Sequence, residues 1–309
     1  MESTPYIWQD GKIIPWAEAT THVLSHGLHY GSGVFEGIRF YQTDAGPAIF
    51  RLKEHMERFI YSAKAIGMIV PYSVDALCDA IENLVAMNGI QCGYIRPLAF
   101  FGYGSMRVVP DASLPINVVI ACWPWGDYLP AKAIDVQISD YIRIHPKSTV
   151  ADAKICGHYV NSIMAGLAIA GTGYHEALLL DIDGFVAEGS AENIFIVKNG
   201  EIYTTETGTI LEGITRNTIM EIAKHLGYKV HECRFKPEEV IQADEAFFCG
   251  TAVEVTAIGT LDDQKIADGK IGKITQQIQQ YYLNVVHGRT DAFKHYVTIV
   301  KPKEISYAK

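Results

Sequence analysis

Between Glu188 and Arg216 the chain reads Glu188-Gly-Ser-Ala-Glu-Asn193-Ile-Phe195, then Ile202-Tyr-Thr204, then Leu211-Glu-Gly213-Ile214-Thr215-Arg216. Read alone, Gly213-Ile-Thr opens a helix. The free N–H groups and positive dipole end of such a start can hold an anion. The same residues also fit a plain glycine turn with a threonine N-cap. Thr251, after Cys249-Gly250, is likewise either a phosphate-facing hydroxyl or an ordinary turn residue. His22, His26 and His29 lie close together without a Cys, Glu or His to complete a metal set, and so read as structural or supporting residues.

The elements around these residues are mixed. Asp10-Gly11 between apolar flanks predicts a hairpin over Tyr6 to Trp16. Helical periodicity runs from Lys53 to Ile66 with a stop at Gly67, and from Ser73 to Asn88-Gly89. Tyr94 to Phe101, Ile116 to Trp123 and Asp135 to Ile144 read as strands. Helices are expected over Tyr159–Ala170, Thr215–Leu226 and Ile271–Val286, each closed by a glycine. Asp183-Gly184 and Asn199-Gly200 turn hairpins between Ala177–Ile182, Asn193–Val197 and Glu201–Thr204. Pro124-Trp-Gly-Asp-Tyr-Leu-Pro130 is the best linker. The expectation is α+β, because strict βαβ alternation is absent. A small α/β domain would span 1–124, an interdomain loop 125–134, and a larger domain 135–309.

The chain has 309 residues, 49% of them hydrophobic, which excludes a disordered polymer. Its formal net charge of −9 argues against a nucleic-acid surface or a basic membrane anchor. No stretch approaches the ~20 apolar residues of a membrane helix, and the N-terminus has neither the basic start nor the apolar core of a signal peptide. A cytoplasmic protein is expected. Six scattered cysteines without a C-x-x-C pair read as buried free thiols. With nine arginines in the chain, anion binding must rest on a few well-placed cations.

The Glu188–Arg216 arrangement resembles the signature of class IV pyridoxal-phosphate (PLP) aminotransferases. Ser25-His-Gly-Leu-His-Tyr30-Gly-Ser-Gly-Val-Phe35-Glu36-Gly37-Ile-Arg39, Glu54-His-Met-Glu-Arg58, Gly93-Tyr94-Ile-Arg96-Pro97 and Cys249-Gly250-Thr251-Ala252 are similar to the branched-chain members in particular. The likeness runs from Tyr6 to the last helix. It implies fold type IV, a small α/β domain with a larger domain built on a mixed, barrel-like β core. It also implies PLP as cofactor, and reversible transfer of the amino group of leucine, isoleucine or valine to 2-oxoglutarate by a ping-pong route.

The resemblance also implies roles. Ala151-Asp-Ala-Lys154-Ile-Cys-Gly-His-Tyr159 matches the cofactor-lysine segment, so Lys154 would carry PLP and move protons, with Tyr159 bonding the ring oxygen. Such chemistry needs an amine that gives up its proton, which small apolar neighbours favour. Seventeen lysines offer no other way to choose one. Glu188 would face the pyridine nitrogen. Arg58, the N–H groups of Ile214 and Thr215, and Thr251 would hold the phosphate. Tyr94, Arg96, Thr251 and Ala252 would take substrate carboxylates. Phe35, Gly37, Trp125, Tyr128 and, from a partner subunit, Tyr30 and Val108 would line the apolar wall. A homodimer or larger homo-oligomer follows from that sharing. Arg107 and Asp152 depart from the family pattern. A D-amino-acid aminotransferase, an aminodeoxychorismate lyase and a non-catalytic PLP-binding protein are the competing readings.

Overall fold

The computed structural model describes residues 2–126 and 133–301. The chain divides into two compact units. The first comprises the residues up to Gly126, Lys154–Gly157, and the chain from Asn284 on; the second holds the residues between.

The first unit opens with β1 (Tyr6–Gln9) and β2 (Lys12–Pro15). Asp10 and Gly11 turn them with φ of 48° and 88°, as the Asp-Gly pair predicts. The short α1 (His26–Tyr30), β3 (Gly33–Phe35), β4 (Ile38–Thr43) and β5 (Gly46–Phe50) follow. Next come α2 (Leu52–Ala65) and α3 (Val74–Asn88). The Ser73 hydroxyl accepts from Ala76 N–H to start α3, and Gly89 ends it in the left-handed region. Two long strands, β6 (Gly93–Phe101) and β7 (Ile116–Trp123), pair antiparallel over most of their length.

The second unit contains β8 (Ile134–Ile138), α4 (Tyr159–Ile169), β9 (Glu176–Leu180), β10 (Val186–Gly189), β11 (Asn193–Lys198) and β12 (Glu201–Thr204). It continues through α5 (Ile214–His225), β13 (Val230–Glu232), α6 (Pro237–Ile241), β14 (Glu245–Gly250), β15 (Glu254–Leu261), β16 (Gln264–Lys265) and the start of α7 (Lys273–Val286). The chain ends its described course with β17 (Val297–Ile299), which pairs with β5 of the first unit.

The first unit's sheet runs β17-β5-β4-β6-β7-β1-β2, with β3 on β6, and every pairing is antiparallel. The second unit's sheet, β10-β9-β8-β15-β14-β11-β12-β13 with β16 on β15, is mixed: β8 runs parallel to both its neighbours. Its core joins Ile134, Val136, Ile194, Ile196, Phe248 and Ile258 to Phe235 and Val240. Helices and strands in both units give the expected α+β class.

Some expectations need correction. The strand expected over 135–144 stops at Ile138. Tyr141 N–H donates to the Ser139 hydroxyl, closing a local turn, and Arg143 N–H then reaches Leu180 O. β9 stops at Leu180 because Asp181 Oδ1 accepts from the N–H groups of Asp183 and Phe185. Sequence reading does not anticipate β10, β13, β14 or β15. All six cysteines are free, but only Cys122 and Cys249 are buried; Cys78, Cys156 and Cys233 are half-buried and Cys92 is exposed.

Candidate active site

In the first unit the expected residues gather around Phe35. The Lys154 amine lies 4.9 Å from the Phe35 ring centroid, and the Arg96 guanidinium lies 4.8 Å from the same ring. Lys154 is tied in by its backbone. Its N–H donates to the Ser62 hydroxyl at 2.9 Å, and its carbonyl accepts from Phe35 N–H. Gly157 N–H donates to Gly31 O, and a Cβ at Gly31 would stand 2.7 Å from the Gly157 Cα, so only glycine permits this approach.

Arg96 projects from β6, with Tyr94 two residues earlier on the same strand face. Its Nε is buried with no hydrogen-bond partner among the described residues. Tyr94 is buried and packs on Trp125 at 4.5 Å between centroids. The position of a Cβ at Gly37 is 1.9 Å from the Tyr94 hydroxyl. Arg39 donates to Gly126 O at 2.6 Å, holding the chain just after Trp125. Tyr128 lies outside the described residues.

Arg58 sits on α2 and meets Glu36 with two N–H groups, Nε to Oε1 at 2.6 Å and Nη2 to Oε2 at 2.9 Å. His55, one turn earlier, places Nδ1 2.7 Å from Oε2. Burial pushes the Glu36 carboxyl upward, but Arg58 and His55 outweigh it and hold it well below the usual carboxylate range. Burial lowers His55, against the pull of Glu36, so the imidazole stays neutral. Tyr30 and Val108 do not join this cluster. Both are exposed, and the Tyr30 hydroxyl donates to Met106 O. His26 bears out its structural reading, linking Ser32 Oγ and the Arg107 carbonyl.

The second unit builds a different cluster around Glu188 on β10. Arg143 Nε bonds its Oε1, while Asn193 Nδ2 and Leu211 N–H donate to Oε2. The turn that ended β8 early is what delivers Arg143. Asn193 also donates to Leu211 O, and a Cβ at Gly213 would fall 2.0 Å from Asn193 Oδ1. Gly213, Ile214 and Thr215 are therefore seated against the Glu188 network. Arg216 is built into the interior, with Nη2 donating to Thr205 O and to Glu232. Thr251 and Ala252 follow β14 directly, where Gly250 packs against the Ala191 carbonyl. Tyr159 is the first residue of α4.

Two of the helix starts in this unit, those of α5 and α7, differ. Glu245 occupies the first turn of α7, accepting from the N–H groups of Ile274 and Thr275. Among the described residues no side chain caps α5, and its first turn holds no acid. Such an end favours an anion.

Sequence reasoning misses Glu36, His55 and Arg143 as site residues. Glu36 lies inside a quoted motif, but its two partners are on another element. Among the described residues no group of His, Cys, Asp and Glu could hold a metal ion, and no helix is long and apolar enough to cross a membrane.

The first unit holds an amine and arginines, and the second an uncapped helix start and a carboxylate fixed by three donors; each fits the chemistry of a phosphorylated pyridine aldehyde. The amino-transferase class IV family matches residues 33–261. The chain belongs to that family.

Its relatives are more particular. It is 45% identical to a branched-chain-amino-acid aminotransferase of Pseudomonas aeruginosa, over 96% of this chain and 97% of that one. A T.th. branched-chain amino acid aminotransferase complexed with N-(5'-phosphopyridoxyl)-L-glutamate matches with TM-score 0.94 and 44% identity, over 96% and 99% of the chains. The same enzyme with pyridoxamine 5'-phosphate matches with TM-score 0.95 and 42% identity, over 97% and 100%.

Proposed function

We propose that this chain is a PLP-dependent branched-chain-amino-acid aminotransferase, passing the amino group of L-leucine, L-isoleucine or L-valine to 2-oxoglutarate in two half-reactions. One observation carries the reading: an amine, Lys154, and a cation whose buried Nε–H has no partner among the described residues, Arg96, flank a single apolar ring, Phe35. That combination suits a pocket that must take both an aliphatic side chain and the carboxylate of glutamate.

When bound, PLP supplies an aldehyde that takes up amines and a ring that accepts the electron pair left at the substrate Cα. Lys154 would hold the cofactor and move a proton to and from the substrate Cα. Glu188, held in place by Arg143 and Asn193, would face the ring nitrogen and favour a proton there. Tyr159 would donate to the ring oxygen. Arg58, the N–H groups of Ile214 and Thr215, and Thr251 would hold the phosphate. The substrate α-carboxylate falls to the Tyr94 hydroxyl and the backbone at Thr251 and Ala252. Phe35, Gly37, Trp125 and Tyr128 exclude water from the aliphatic side chain.

The same proposal includes a homodimer or larger assembly in the cytoplasm. The partner's Tyr30 and the partner's Val108 would complete the wall, which their exposure in this chain supports. A donor panel with 2-oxoglutarate tests the reading: L-leucine, L-isoleucine and L-valine should yield glutamate and their 2-oxo acids. Preference for D-leucine, or no transfer from any donor, would defeat it.

A further inference from the structure

Glu36 stands outside every role assigned above, yet it is the most enclosed charge in the first unit. It is 0% exposed. Its backbone N–H is fixed to Pro97 O on β6 at 2.9 Å. Its carboxylate spans from that anchor to α2, where Oε1 takes one N–H of Arg58 and Oε2 takes a second, with His55 Nδ1 also on Oε2. Arg58 and His55 are three residues apart, and so lie on one face of α2. A guanidinium held by two parallel N–H···O bonds has its plane and direction set; one held by a single bond can swing.

We propose that Glu36 is a positioning residue, which orients the Arg58 guanidinium toward the cofactor phosphate without itself touching cofactor or substrate. The proposal rests on the assignment of Arg58 to the phosphate. His55 supports the same geometry, because as a neutral imidazole it donates to Glu36 without adding a competing cation. Phe35 and Gly37, on either side of Glu36 in the chain, are the pocket-wall residues. The segment that shapes the apolar wall thus also carries the anchor for the phosphate cation.

The test compares two probes on apoprotein prepared from the full chain: pyridoxal phosphate, and pyridoxal, which has the aldehyde but no phosphate. Dissociation constants are read from quenching of protein fluorescence. In Glu36→Gln the constant for pyridoxal phosphate should rise about 10- to 100-fold, by analogy with the range seen when the partners that orient metal-binding residues are removed. The constant for pyridoxal should stay within about threefold of wild type, as expected of a change that spares every group except the phosphate contact. Equal losses for both probes would mean that Glu36 only supports the fold, and would overturn the proposal.

Arg58→Met should lose the same preference for the phosphorylated probe, and adding Glu36→Gln to it should change the ratio no further. If Arg58→Met leaves the ratio intact, the Arg58 assignment fails, and the Glu36 proposal with it. If Arg58→Met removes the preference but Glu36→Gln does not, Glu36 alone is refuted. Should Glu36→Gln fail to fold, Arg58→Lys gives the answer. It keeps the charge and lacks the two-pronged edge, so the preference should fall; full retention would overturn the proposal.

Discussion

The hydroxyl of Tyr94 fills the space where a side chain at Gly37 would begin, 1.9 Å from the Cβ position. Gly37 is therefore required by a neighbour rather than by its own backbone angle. Gly37→Ala must push Tyr94 off its seat against Trp125, at a cost of about 1–3 kcal/mol for overpacking. Displacing the hydroxyl proposed to take the substrate carboxylate by about 1 Å should lower kcat/KM for L-leucine on the order of 100-fold. Gly37→Ala with Tyr94→Phe shortens the ring tip and should recover stability but not carboxylate binding. A denaturation midpoint no better in the double variant would show that this contact does not set the cost.

Arg143 gives Glu188 a cationic partner, and both side chains are largely buried. Arg143→Met strands that buried carboxylate without the matching charge, which should cost about 3–5 kcal/mol. Adding Glu188→Gln removes the stranded charge, and should return much of that stability while leaving the enzyme inactive. Urea unfolding of the three variants checks this. If the double variant is no more stable than Arg143→Met, the charge pairing is not the source of the loss.

Gly213→Ala should act on the same carboxylate from the other side. Its methyl would meet Asn193 Oδ1 at 2.0 Å, and Asn193 is bonded to Glu188 and to Leu211 O. The expected cost is about 1–3 kcal/mol, with a larger loss of bound cofactor than of fold. Retained cofactor, read from visible absorbance per protein after gel filtration, decides it; wild-type retention would contradict the account.

A buried acid pair sets a pH dependence. Burial, with Glu176 and Glu188 nearby, raises Glu192 well above the usual carboxylate value, and burial raises Glu176 too. Glu192 accepts from Ala191 N–H and Glu176 from Ala177 N–H. The folded state therefore holds a proton that the unfolded chain releases near its ordinary value of about 4.3. Stability is fully present below that value and falls as pH rises toward the folded value. Glu192→Gln keeps the contacts without the titration, so it should gain on wild type at about 1.4 kcal/mol per pH unit across that window. Parallel stability curves from about pH 4 to about pH 8 would refute this.

What could be read in the sequence was local. Asp10-Gly11, Ser73 and Gly89 act within a few residues, and the hairpin and α3 follow from them. Lys154, Glu188 and Arg58 are reached through motif resemblance, because nothing in their immediate neighbours separates them from other charged residues. The partners that position them are hidden from a linear reading. Glu36 is 22 residues from Arg58, and Arg143 is 45 from Glu188. Arg143 is further obscured by the expectation of one strand through Ile144, whereas the Ser139 turn redirects the chain. Gly37 stands in the expected wall, but its reason, the Tyr94 hydroxyl, exists only once β4 lies beside β6.

The central claim is that Lys154 carries the cofactor in an enzyme that moves amino groups from branched-chain L-amino acids. The most direct measurement incubates wild type and Lys154→Ala with pyridoxal phosphate, L-leucine and 2-oxoglutarate, and quantifies glutamate and 4-methyl-2-oxopentanoate. Wild type should form the two products in equal amounts, and Lys154→Ala should form neither above the uncatalysed background. Equal product formation by Lys154→Ala, or none by wild type, would contradict the account.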